Sequence, residues 1–204
     1  MVQPLKKHHL QCLIGLATLV VAGGASIFIV SSLIQPNKED LFLAMSEEGY
    51  FKTSGRYVDD GTLIRWIDAL DLSPGDSWKG TTLLEAAAMH GRLEVVKSLI
   101  ERNSSRYYLS GDNNILFAAA NEPDVLEFLL HHGGDPTLLH PSGESLPIWI
   151  AKLGNSRSCD ALRRLAAYGG KNLLLLENTE GQSLSVEHAT VASDRKCIRL
   201  LLDH

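Results

Sequence analysis

Gly80-Thr81-Thr82-Leu83-Leu84-Glu85-Ala86-Ala87-Ala88-Met89-His90-Gly91-Arg92-Leu93-Glu94-Val95-Val96-Lys97-Ser98-Leu99-Ile100 is the stretch that decides the fold. It reads as two short helices. In the first, Ala87 and Ala88 are small enough to let a neighbouring helix come close. Gly91 turns the chain, and Val95, Val96, Leu99 and Ile100 line one stripe of the second helix. Such a pair cannot bury its apolar faces alone, so further copies are expected along the chain.

They are present. A second copy keeps Gly111, Ile115, Ala118, Ala119, Val125, Leu126, Leu129 and Leu130, closes on Gly133-Gly134-Asp135-Pro136, and is one residue short between its helices, where Pro123 sits. A third runs from Gly143 through Pro147, Ile148 and Ala151 to Leu162, Leu165 and Gly169-Gly170. A fourth runs from Gly181 through Val186 and Ala189 to Leu200, Leu201 and Leu202. Gly143 with Gly181 and Cys159 with Cys197 repeat at a spacing of 38 residues.

The first copy resembles the ankyrin repeat, whose pattern runs G-x-T-P-L-H-x-A-A-x-x-G-H-x-E-V-V-K-x-L-L over about 33 residues. The resemblance implies an all-α ankyrin-repeat solenoid with little strand, four copies at about 80–110, 111–142, 143–180 and 181–204, and a degenerate N-terminal capping repeat over 37–79. In that cap, Leu41 to Ala44 and Leu63, Ile64, Trp66, Ile67 and Leu70 are the apolar positions. The linkers Asn103 to Gly111, Gly133 to Gly143 and Gly169 to Gly181 become turns or finger loops beside a concave groove.

From Leu10 to Ile34 the chain carries no charged residue, which suits one transmembrane helix. Residues 1–9 form a basic tail with Lys6 and Lys7, whereas Glu39, Asp40, Glu47 and Glu48 outnumber Lys38 after the run. The excess of positive charge before the run predicts a single-pass inner-membrane protein, N-terminus in the cytoplasm and repeats exported to the periplasm. Cleavage as a signal peptide near Ala22 to Ala25 is the rival; the apolar Ser26 to Ile34 continues past that point and favours an uncleaved anchor.

With 45% hydrophobic and 21% charged residues the chain has a globular rather than a disordered composition. The 19 Lys and Arg include only Lys6 and Lys7 in the first 35 residues, so the rest sets 17 basic against all 24 acidic side chains, and nucleic acid is excluded as a partner.

No residue set reads as catalytic. Gly143-Glu144-Ser145-Leu146-Pro147 and Gly181-Gln182-Ser183-Leu184-Ser185 approach a nucleophile elbow but lack its last glycine, and both fall where the ankyrin pattern places G-x-T. No metal is expected, because His131 and His132 point apart on a helix and neither Cys nor Glu joins them, Asp135 and His140 in a tetrahedral set. No cofactor is expected. Cys159 and Cys197 occupy equivalent positions of repeats whose helices stack about 9–10 Å apart, which predicts two separate thiols.

A protein partner is expected on the concave face and fingers: Arg106, Tyr107, Tyr108, Asp112, Asn113, Phe117, His140 and Trp149. The inner-helix positions Ala86, Phe117, Ile150 and His188 serve either recognition or packing between repeats. Exported bacterial proteins similar to this one include immunity proteins against type VI secretion lipase toxins, so the resemblance implies a toxin or lipase effector as partner. The alternative is a periplasmic protein of peroxide defence binding a small molecule or haem, for which the scattered histidines supply no evident ligand set.

Overall fold

The computed structural model describes residues 36–46, 58–102 and 115–203. The expected basic tail and transmembrane segment, and the first finger with Arg106, Tyr107, Tyr108, Asp112 and Asn113, lie outside the described residues. Among the described residues no helix is long and apolar enough to cross a membrane. Met1–Asp71 and Leu72–His204 form two compact units.

In the first unit, helix α1 (Lys38–Met45) packs on α2 (Asp60–Ala69). Asn37 caps α1 in a reciprocal box with Asp40, and Asp59 caps α2 by accepting the Thr62 backbone N–H at 2.9 Å and the Thr62 hydroxyl at 2.8 Å. The two donated bonds hold the Asp59 carboxyl below the usual carboxylate range. Leu41, Phe42, Ala44, Met45, Leu63 and Ile67 are buried, whereas Ile64, Trp66 and Leu70 are half-buried.

The second unit opens with the two-residue strands β1 (Ser77–Trp78) and β2 (Thr81–Thr82), paired antiparallel. Lys79 and Gly80 between them have φ of 53° and 86°, the left-handed pair that matches a hairpin to the twist of its strands. Helix α3 (Leu83–Met89) follows, with Thr82 and Glu85 in a capping box: the Thr82 N–H donates to Glu85 at 2.7 Å and the Glu85 N–H to the Thr82 hydroxyl at 3.2 Å. Gly91 turns the chain into α4 (Leu93–Arg102), which buries Val95, Val96 and Leu99.

Three more helical pairs repeat this plan. α5 (Ile115–Ala118), extended by a 3-10 turn at Ala119–Asn121, precedes α6 (Pro123–His131); α7 (Leu146–Leu153) precedes α8 (Ser158–Gly169); a 3-10 turn at Val186–His188 precedes α10 (Ala192–Asp203). The first elements of the pairs contact one another in order, as do α4, α6, α8 and α10, so the unit is two rows of helices. Ala87, Ala88, Ala119, Ala120 and Ala151 are buried in the inner row, where small side chains let backbones approach. The 3-10 turn in the second pair absorbs the missing residue. Three residues at about 2.0 Å each advance as far as four α-helical residues at about 1.5 Å.

Two expectations are corrected. The segment between Gly169 and Gly181 is not only loop: α9 (Lys171–Leu174) forms in it and buries Leu174 completely. Cys159 and Cys197 are not separate thiols but a disulfide between α8 and α10, with Cα atoms 5.9 Å apart. Axis separation is the wrong measure for two cysteines on facing sides of their helices. Each Cα stands about 2.3 Å off its axis, so facing Cα atoms lie about 5 Å closer than axes 9–10 Å apart. The 38-residue period also misleads, because Cys159 is the second residue of α8 and Cys197 the sixth of α10.

Candidate protein-binding face

Three of the expected contact residues converge. Phe117 comes from α5, Trp149 from α7 and His140 from the finger turn between them. The His140 ring stacks on Trp149 with centroids 4.2 Å apart and planes at 25°. Phe117 meets Trp149 edge-on at 5.9 Å and lies 5.2 Å from His140. These separations fall in the range where aromatic pairs attract beyond the area they bury.

The finger turn fixes His140. Its backbone N–H donates to the Glu144 carbonyl at 2.9 Å, and the Gly143 N–H returns to the His140 carbonyl at 2.7 Å. Nδ1 accepts the Ser142 backbone N–H at 3.1 Å, so the neutral ring carries its proton on Nε2. Asn178 has the same role in the following repeat, its side-chain oxygen accepting the Glu180 and Gln182 N–H groups, and the Thr179 N–H joins the two turns by donating to the Gly143 carbonyl at 2.9 Å.

Phe117 is 8% exposed, while His140 and Trp149 are half-buried, leaving the edge of a rigid aromatic surface open beside the ion pair of Lys152 with Glu144. Such a surface suits contact with another protein, because the rings are held before binding and lose little freedom on contact. Of the inner-helix positions, Ala86 and Ile150 are core; His188 is half-buried and caps its own turn, Nδ1 accepting the Ser185 N–H at 3.0 Å.

Charged side chains of both signs lie along the opposite row. Arg164 on α8 pairs with Asp124 at 2.8 Å, with Glu127, and with Asp160 at 3.7 Å; the Glu127 hydrogen bond raises its guanidinium pKa further above the ordinary arginine value. His131 and His132 diverge, the former edge-on to Tyr168 and the latter stacked on Phe128. Among the described residues no group of three His, Cys, Asp or Glu side chains is placed to hold a metal ion. Ser145 is buried and donates to the Leu176 carbonyl at 2.8 Å, a bond between successive repeats rather than an exposed nucleophile.

Sequence reasoning missed the Ser185–His188 pair, whose three-residue spacing is that of a capping box, and Arg164, whose i+4 spacing from Asp160 was a visible signal.

Stacked helical pairs present extended surfaces, and the aromatic patch across the inner row and its finger is the candidate contact face. A family model described as ankyrin repeats (3 copies) matches residues 60–140; ankyrin repeats generally mediate protein–protein interaction and typically act as binding modules rather than enzymes. A comparison with curated proteins found no match.

Proposed function

We propose that this protein is a membrane-tethered immunity protein of the periplasm that binds a secreted antibacterial toxin, of the type VI lipase kind, through the face built on Phe117, His140 and Trp149. The aromatic cluster is the observation that carries the reading: it joins two repeats and a finger into one pre-formed patch on the side such modules use for partners. The charge-free run Leu10 to Ile34 behind Lys6 and Lys7 supports a tether with the repeats exported. The Cys159–Cys197 disulfide supports an oxidising compartment, since such bonds persist outside the reducing cytosol.

Cells producing the full chain should survive the toxin encoded beside its gene, and the two proteins should co-purify. Trp149→Ala with His140→Ala should leave a folded protein that no longer protects, since aromatic anchors at an interface commonly contribute about 2 kcal/mol or more. Lys97→Ala, on α4 of the other row, should protect normally. Full protection by the folded double variant refutes the face; a toxin neighbour that neither binds nor is neutralised refutes the immunity role. A periplasm-dependent reporter fused after His204 should be active, and activity only of a cytoplasmic reporter refutes the topology.

A further inference from the structure

The last helical pair is held differently from the others. Its first element is only the three-residue turn Val186–His188. α10 buries Cys197 and Ile198 completely or nearly so, yet Leu200 is 49% exposed and Leu201 and Leu202 are half-buried. The disulfide to α8 adds a covalent hold to that packing.

That disulfide borders a groove of about 390 Å3. Arg163 of α8 and Lys171 of α9 supply two cations to its lining, Leu174, Leu200 and Leu201 give apolar walls, and Cys197 is part of the lining. The Lys171 ammonium donates to the Leu202 carbonyl at the end of α10. Cys159 lies in the first turn of the 12-residue α8, where the helix N-terminus favours a thiolate. Asp160 in the same turn is directed to Arg164. Cations beside one sulfur favour the approach of an anionic thiol there, and a stabilised thiolate at the other is the better leaving group in thiol–disulfide exchange.

We propose that Cys159–Cys197 is an exchange site for an anionic thiol and that its reduction releases α10. The thiolate of an external dithiol enters between Arg163 and Lys171 and attacks Cys197 Sγ. A new S–S bond forms there, the Cys159–Cys197 bond breaks, and its electron pair leaves on Cys159, which takes a proton from water. The second thiol of the reductant then attacks its own sulfur in the mixed disulfide and expels the Cys197 thiolate. The dithiol loses two electrons as it becomes a disulfide, and the protein gains them as two thiols.

The full chain in detergent micelles tests both halves. Reduction by 2-mercaptoethanesulfonate should run several-fold faster than by cationic cysteamine at equal thiolate concentration, with the adduct on Cys197 in quenched samples read by mass spectrometry. Arg163→Ala with Lys171→Ala, both at exposed positions, should equalise the two rates. Equal rates in the unsubstituted protein, a preference that survives the double substitution, or an adduct on Cys159 overturns the site. For the release, trypsin should cut after Arg195, Lys196 and Arg199 in the reduced chain and in Cys159→Ser with Cys197→Ser, but slowly in the oxidised chain. Equal cleavage of oxidised and reduced protein overturns it.

Discussion

Gly154→Ala tests the contact between the last two repeats through a single methyl group. Gly154 ends α7 with φ 61° and ψ 39°, a conformation that costs an L-residue about 1 kcal/mol or somewhat more. A Cβ there would overlap Thr190 Oγ1 and stand 3.0 Å from Thr190 Cβ. Rotating the hydroxyl away relieves only the first clash, so the backbone at Thr190 must shift as well, a local overpacking of about 1–2 kcal/mol. The substitution should therefore destabilise by about 2–3 kcal/mol in urea titrations followed by tryptophan fluorescence. In a Thr190→Gly background the obstructing side chain is gone and only the conformational cost of about 1 kcal/mol should remain. The coupling between the two substitutions is the measured quantity. If Gly154→Ala costs the same in both backgrounds, the third and fourth repeats are not packed in the described register.

Thr82→Ala breaks the capping box with Glu85 and should cost about 1 kcal/mol by the same titration, with Thr82→Ser retaining most of it. Ala87→Asp places an unpaired charge at a fully buried position and should cost several kcal/mol; near-normal stability would mean that the inner row is misassigned. Asp59 titrates below its unfolded value, so its contribution to stability is present above the unfolded carboxyl pKa and is lost as pH falls through the folded one. Thr62→Val should move the carbon-13 titration midpoint of the Asp59 carboxyl upward, and an unmoved midpoint refutes the assigned cause. Of the 3 cysteines, denatured unreduced chain should offer one reactive thiol, Cys12, and three after reduction; three without reductant would refute the disulfide.

The repeats were legible because their signal is local: Ala87-Ala88, Gly91 and Val95-Val96 each report a contact or a turn within one helical pair. Other features depend on how pairs meet, which spacing along the chain does not encode. The α8–α10 disulfide needs the facing sides of two helices and a register offset that the 38-residue period conceals. Helix α9 had a visible sign in the apolar Leu173 to Leu176, but only the buried position of Leu174 gives that run a purpose. Within the candidate face, Phe117 and Trp149 followed from their place in the repeat. Their convergence with His140 did not, because it requires one finger turn to fold back over the inner helices of two pairs.

The cross-link between α8 and α10 has a mechanical meaning. A load applied at the C-terminal helix would ordinarily peel the end of a repeat stack, since each pair is held only by its neighbour. Here the covalent path runs from Cys197 directly to Cys159, and the 38-residue span between them carries none of the tension. At about 3.4 Å per extended residue, roughly 130 Å of contour length stays hidden until the sulfur bridge opens. In a force trace recorded between the ends of Leu72–His204, the oxidised protein should be shorter at full extension than the reduced one by about that length. Tension then reaches the third repeat and the helix bearing Trp149 before the last pair has lengthened the chain.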